Sequence, residues 1–429
     1  MKYLTLLQDL DYRGSQRVAQ NYSLGMSERG HEVRVLTLDA LGPRTEILEK
    51  AGISCLCLEK NSHAMNSILS WSPDVIHLHR PGYYHHSFNR VIEQLKSKLN
   101  CLIIETNIFS RVDYQIPQGI IDVHLHLTEW CLWKWSRWSR CLSYKPIGIV
   151  LPNSVISEEF APSSQSAIMA NKERIGIPEN DFVFGRIGSK CEAKWHPVIV
   201  EAFKQAYQQN NQISLLLVAP PDSVCEQVKV LPSPIRSKVF IVPPIKGNDQ
   251  ELCTMYSTMD VMLHASKIGE SFGMVLAEAL LCETPIITLS TPTKDNSQVE
   301  IVEHNQTGKV VNNRPAFVQA MLYFASQPDI IVAFGKQGRK RIIEKFENSL
   351  VCEKIENLCE TLLSLQNRTT EEIQLALSKE GFIQNQYHEQ NNLKKLNYFD
   401  GKITLFSEIA IKLVHNPYFY KSYLAIKKK

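Results

Sequence analysis

No CxxC doublet occurs among the eleven cysteines, which stand as singles or loose pairs such as Cys55 and Cys57. That spacing argues against a zinc site or a redox motif and reads as reduced, structural thiols in a cytosolic protein. Nor is there a run of about 18 consecutive apolar residues, so no membrane-spanning helix is expected and any membrane contact would be peripheral. The net charge is only +3 over 429 residues. A dedicated nucleic-acid binder concentrates positive charge on one face, so nucleic acid is not an expected partner. The first residues, Met1 to Leu7, are apolar over too short a stretch for a signal peptide, and Asp9 and Asp11 follow at once. They read as a first buried strand.

What is present is a chain with 44% apolar and 21% charged residues, the balance of a globular protein. Its length exceeds what one hydrophobic core organises well, so two domains are expected. Short apolar runs alternate with longer amphipathic stretches, the pattern of a parallel α/β sheet. In the first third the strand candidates are Tyr3 to Leu7, Val33 to Leu38, Val75 to Leu78, Leu102 to Ile104, Val123 to Leu127 and Ile147 to Leu151. The helix expected over Gln16 to Arg29 ends at Gly30, which suits a left-handed cap. In the second half the strands fall at Phe182 to Ile187, Ser214 to Val218, Val239 to Val242, Val261 to His264 and Pro285 to Thr288. Helices are expected at Pro197 to Gln208, Asp249 to Met259 and Met274 to Leu281.

The expected layout is a doubly wound domain over 1–152, a linker over 153–180, a second doubly wound domain over 181–345, a closing helix over 346–365 and an extension over 366–429. The linker assignment rests on the Pro, Ser and Asn that cluster from Pro152 to Pro178. From Lys402 onward the chain holds six lysines against one acid, Glu408. This tail reads either as a solvated appendage or as a docking element for an acidic partner or a membrane surface. Leu405, Phe406, Ile409, Ile411, Leu413, Tyr418 and Tyr420 would be its apolar side. Trp130, Trp133, Trp135 and Trp138 alternate with Lys134, Arg137 and Arg140, and they read as core or as a membrane-interface patch.

The chemistry concentrates in Gly269-Glu270-Ser271-Phe272-Gly273-Met274-Val275-Leu276-Ala277-Glu278. A loop runs into a helix here, and a helix amino terminus is a natural seat for a diphosphate. Gly273 lets backbone approach closely. Glu270 and Glu278 would repel phosphate but accept hydrogen bonds from hydroxyls, which a nucleoside diphosphate sugar offers at both ends. Upstream, Gly185-Arg186-Ile187 is followed by Lys190 and Lys194 and then by Glu201-Ala202-Phe203. Two cations at strand carboxyl ends can stabilise charge on a departing diphosphate.

These segments resemble the retaining glycosyltransferases of the GT-B fold, in particular the large family 4 group, also called glycosyl transferases group 1. The hallmark is a Glu, seven residues, then a second Glu, with Phe-Gly between them. The resemblance implies two Rossmann-like doubly wound domains facing each other across a cleft, with a C-terminal helical extension here. The first domain would present the acceptor and the second would grip the donor. Glu270 would hold hydroxyls of the donor sugar and Glu278 the ribose, with Phe272 and the backbone of Gly273, Met274 and Val275 at the diphosphate. Arg186 and Lys194 would face the leaving group, Lys194 being favoured over Lys190 by its distance from Glu201. Gly14, in the loop Asp11 to Arg17, stands where the family carries a Gly pair over the donor. Asp74 to His79, Pro152-Asn153-Ser154-Val155 and Asp295 to Glu300 also match family frames.

Asn107 falls where relatives often place a His, and Asn cannot shuttle a proton near pH 7. The implied activity is transfer of a sugar from a nucleotide-diphosphate sugar to a glycan or lipid-linked acceptor hydroxyl. No metal or other cofactor is required in that scheme, and the setting is cytoplasmic or at the inner face of a membrane. Asn107 keeps open a non-catalytic sugar-nucleotide-binding or scaffold subunit, and the same fold also admits an epimerase.

Overall fold

Strands flanked by helices on both faces bury all their side chains, and Leu102–Asn107 and Ile213–Val218 are buried at every position. A computed structural model describes residues 1–383, 394–419 and 422. Two all-parallel sheets form. The first holds β1 (Lys2–Asp9), β2 (Glu32–Ala40), β3 (Ser54–Cys57), β4 (Val75–Arg80), β5 (Leu102–Asn107), β6 (Val123–His126) and β7 (Gly148–Val150), in the order β3-β2-β1-β4-β5-β6-β7. The second holds β8 (Phe182–Ile187), β9 (Ile213–Val218), β10 (Val239–Val242), β11 (Val261–His264), β12 (Ile286–Leu289) and β13 (Gly308–Val311), in the order β10-β9-β8-β11-β12-β13. Both are doubly wound, and in the second the order reverses between β8 and β11.

The chain divides into two units. The first gathers Met1–Val155 with the described parts of 346–389 and 412–429, and the second gathers Ile156–Lys345 with the described part of 390–411. Leu4, Leu6, Ile76, Leu78, Phe88, Ile92 and Ile103 centre the first core. Phe184, Phe203, Leu215, Leu217, Leu263 and Phe317 centre the second. The helix Asn348–Leu363 packs on the helix Gly14–Glu28 within the first unit. Gly25 makes this approach possible, since a methyl there would lie 2.5 Å from the Cys352 sulfur.

Three differences from the sequence reading have physical causes. Most of the stretch expected as linker belongs to the second unit and contains the helix Gln165–Ile175, capped by the Ser164 side chain and closed by left-handed Gly176. Asn171 is its one buried residue, bonded through Nδ2 to Thr258 Oγ1 at 2.8 Å, so no apolar periodicity marks it. The edge strands β3 and β13 were not expected; β3 is half-exposed and cysteine-rich, and β13 opens on Gly308. Trp130, Trp133, Trp135 and Trp138 are all buried, which removes them from any membrane-interface role. No single helix among the described residues is long and apolar enough to cross a membrane.

One buried charge network organises the first unit at the ends of its central strands. Arg80 ends β4, and its guanidinium pairs with Glu105 and, at 2.9 Å, with Asp113, while Asn89 accepts from it at 3.1 Å. His124 closes on the other oxygen of Glu105. Burial alone would raise the Glu105 pKa, but Arg80 and His124 draw it below the ordinary carboxylate value. A depressed folded pKa contributes stability that is present above the unfolded value and lost as pH falls through the folded one. Arg80→Met, which removes the cation shared by two buried carboxylates, is expected to cost about 3–5 kcal/mol in denaturant unfolding. It is also expected to abolish the part of the acid destabilisation that comes from Glu105 below the usual carboxylate range.

Candidate functional site

The carboxyl ends of β8 and β11 adjoin where the strand order reverses, and ligands of open α/β sheets bind outside such a point. Arg186 lies one residue from the end of β8 and is 1% exposed. Its Nη2 donates to the Lys194 carbonyl at 3.1 Å, and its Nε and Nη1 are buried with no hydrogen-bond partner among the described residues. Burial draws its pKa down to about 10, leaving it charged at neutral pH. The indole of Trp195 lies 5.4 Å from the guanidinium and donates to the Ser189 carbonyl at 2.9 Å, which fixes the loop after β8.

That loop is stitched to the segment after β11. His196 N–H donates to Ala265 at 3.1 Å, Lys267 N–H to Ala193 at 3.1 Å, and the Ser266 hydroxyl to Ala193 at 3.3 Å. The stitching sets Lys194 Nζ 2.7 Å from Glu270 Oε2. Lys190 instead pairs with Asp222 at the surface. The other Glu270 oxygen is 3.3 Å from His264 Nε2, and His264 Nδ1 is 3.0 Å from the Thr288 hydroxyl. An ionised carboxylate only accepts, so Nε2 carries the proton and Nδ1 accepts from Thr288. Burial, with Arg186 beside it, draws the His264 pKa down to about 4, so the ring is neutral at pH 7. For Glu270, burial raises the pKa but Lys194 and His264 outweigh it, holding the carboxyl well below its ordinary range.

Two glycines allow the loop to turn. Gly269 sits at φ +70°, and a methyl there would meet the Asp295 carbonyl oxygen at 1.6 Å. Gly273 sits at φ +94° as the cap of the helix Met274–Leu281, which has no side-chain cap. The helix therefore opens on a positive backbone end. Phe272 is buried beneath the turn, and Met274 and Val275 begin the helix half-buried. Glu278, on the second turn, accepts from the Tyr256 hydroxyl at 2.8 Å. The segment Asp295 to Glu300 braces the loop from below. Gln298 Oε1 accepts from Glu270 N–H at 3.2 Å, and Ser297 N–H donates to the Glu270 carbonyl at 2.9 Å.

Arg186, Lys194 and Glu270 thus meet in one cluster, with Gly273 and Glu278 on the adjoining turn and helix of the same unit. Gly14 and Asn107 belong to the first unit. Gly14 is exposed at the start of its helix. Asn107 is buried, with Nδ2 donating to the Arg111 carbonyl at 2.8 Å and Oδ1 accepting from Arg111 N–H at 3.0 Å, so both ends of its amide hold a loop. Asp9 and Asp11 have the Asp-x-Asp spacing of many metal sites, and Arg13 bridges both carboxylates at 3.3 Å. Gln298 joins the cluster from the Asp295 to Glu300 frame noted in the sequence, and His264 and Tyr256 join it without having been named as site residues. Of these, His264, six residues before Glu270 at a strand end, carried a local signal.

The loop geometry has a direct test. Gly30 is also at positive φ, yet a methyl added there would have nothing within 4 Å, whereas one at Gly269 would clash with backbone. Both alanine substitutions carry a left-handed backbone penalty of about 1–3 kcal/mol. Gly269→Ala adds the clash to it and is expected to lower the thermal midpoint clearly more than Gly30→Ala.

Residues 168–341 match the family described as Glycosyl transferases group 1. The chain is 23% identical over 190 residues to N-acetyl-alpha-D-glucosaminyl L-malate synthase of Bacillus anthracis, covering 44% of this chain and 47% of the relative. It is 22% identical over 188 residues to the capsular polysaccharide biosynthesis glycosyltransferase CapM of Staphylococcus aureus, covering 43% and 47%. The chain therefore spans about half the length of the curated relatives it matches. Among solved structures, Anabaena HepE in complex with UDP and glucose superposes with a TM-score of 0.65 at 15% identity, covering 84% of this chain and all (100%) of that one. Sucrose-phosphate synthase from Thermosynechococcus elongatus gives 0.64 at 17% identity, covering 85% and 100%. At these identities the likeness is one of fold.

Proposed function

We propose, from the match of residues 168–341 to the glycosyl transferases group 1 and from the GT-B fold, that this chain transfers a sugar from a nucleotide-diphosphate sugar to an acceptor hydroxyl with retention of anomeric configuration. The observation that carries the reading is Arg186, whose Nε and Nη1 are buried without a partner among the described residues. Leaving charged donors unsatisfied in the interior is costly, and a bound diphosphate would satisfy them.

In this reading Arg186 and Lys194 stabilise the charge that grows on the diphosphate as the glycosidic bond to it breaks. The positive end of the helix Met274–Leu281 adds to the same field. Glu270, ionised and oriented by Lys194 and His264, accepts hydrogen bonds from the sugar hydroxyls. Glu278, held by Tyr256, accepts from the ribose. The leaving phosphate takes the acceptor proton, so the mechanism requires no metal and no imidazole at Asn107. The HepE complex contains UDP, which makes a uridine diphosphate sugar the first donor to try. The relatives' names include a malate synthase and a capsular polysaccharide enzyme, and a glycan or lipid-linked hydroxyl is the acceptor class proposed here.

Glu270→Ala and Lys194→Ala are each expected to reduce turnover by roughly 10²–10³, read as nucleotide release with a panel of sugar donors, while thermal midpoints stay near the parent's. Turnover is expected to survive EDTA. Full turnover in either variant overturns the site. Nucleotide-sugar binding without any nucleotide release would favour the scaffold reading, to which the engaged Asn107 amide lends support.

A further inference from the structure

Beyond the donor site, the described part of the tail forms the helix Leu405–Val414, and its apolar residues divide into two sets. One set faces the protein. Ile411 and His415 are 3% and 1% exposed. The His415 ring lies 4.6 Å from Trp133, and the carbonyls of Val414 and His415 accept from Trp138 Nε1 at 3.2 Å and Arg137 Nε at 3.1 Å. The other set faces outward: Leu405 is 73% exposed, Phe406 81%, Ile409 49% and Leu413 49%. At 3.6 residues per turn these four fall within an arc of about 100°. Tyr418 and Phe419 extend the surface, at 77% and 53% exposure. Tyr420 lies outside the described residues.

We propose that this face docks on an anionic lipid surface, lying in the plane of the headgroups. The charge pattern selects that occupant. From Lys402 to the end of the sequence there are six lysines and one acid. Lys412 is exposed at the edge of the apolar arc, and Lys402 just before the helix is exposed as well. An apolar stripe with Lys412 at its edge and Lys402 at its start, and aromatic rings beside it, matches the layering of acyl chain, interface and anionic headgroup. A second copy of the same chain would bring two lysine-rich tail sequences together across a symmetric contact, which like charge opposes.

The test is flotation of the full chain with vesicles of phosphatidylcholine alone and of phosphatidylcholine with an equal part of phosphatidylglycerol. Binding is expected to the mixed vesicles, to be weaker by about tenfold or more on phosphatidylcholine alone, and to fall as salt is raised. Leu405→Glu with Phe406→Glu is expected to weaken binding by about tenfold or more with an unchanged thermal midpoint, since both side chains already face solvent. No binding to the mixed vesicles, or equal binding by parent and variant, overturns the proposal. So does a parent dimer that the variant converts to monomer in light scattering while neither form floats, which would assign the face to a second copy. The proposal does not rest on sugar transfer, and nucleotide-sugar binding measured on the same preparations is expected to be the same for parent and variant.

Discussion

A charged guanidinium that is fully enclosed and only one-third satisfied governs the second unit. Arg186 extends from β8, which is paired on both sides by β9 and β11, one residue from the carboxyl end of the strand. There it meets Lys194 and Glu270. Two cations and one carboxylate leave one positive charge in excess, because burial keeps His264 neutral. Hydrophobic burial of the surrounding strands holds this unfavourable arrangement in place. Its resolution is a ligand that brings negative charge and several acceptor oxygens, which a diphosphate does.

The first unit offers an internal contrast. Arg80 is also a buried arginine at a strand end, and it has the opposite charge balance: one guanidinium against Glu105 and Asp113, with Asn89 and His124 in the same network and only Nη2 without a partner among the described residues. Matched or over-matched charge of this kind fixes local geometry and asks for no ligand. The two arginines share burial and position on a strand, so burial alone does not distinguish a structural cation from a ligand-binding one. The charge remaining after all protein partners are counted does.

That count also explains what was legible in the sequence. The strands Phe182–Ile187, Val239–Val242 and Val261–His264 were readable to the residue because each is a short, largely apolar run bounded by polar or turn-forming residues. Glu270, Gly273 and Glu278 were readable because one turn and one helix hold them at a fixed sequence interval. Tyr256 was not, since its bond to Glu278 spans 22 residues and joins two helices. The segment holding Gln298 was noted as a family frame, but its bond to the Glu270 N–H, 28 residues away, was not readable for the same reason. The helix Gln165–Ile175 escaped because its stability comes from caps and one buried amide, and an apolar stripe is the signal that periodicity detects.

The tail shows the limit of periodicity from the other side. Its sequence has an apolar stripe, and a stripe alone does not say whether protein covers it. Ile411 and His415 account for one face of the helix through contacts that any folded chain would make. Leu405, Phe406, Ile409 and Leu413 then lie on a face for which the described chain supplies no cover. A short helix gains little from propensity and depends on burial for its persistence. Apolar side chains kept outward on such a helix are therefore better understood as prepared for a second, non-aqueous phase than as surplus from the first.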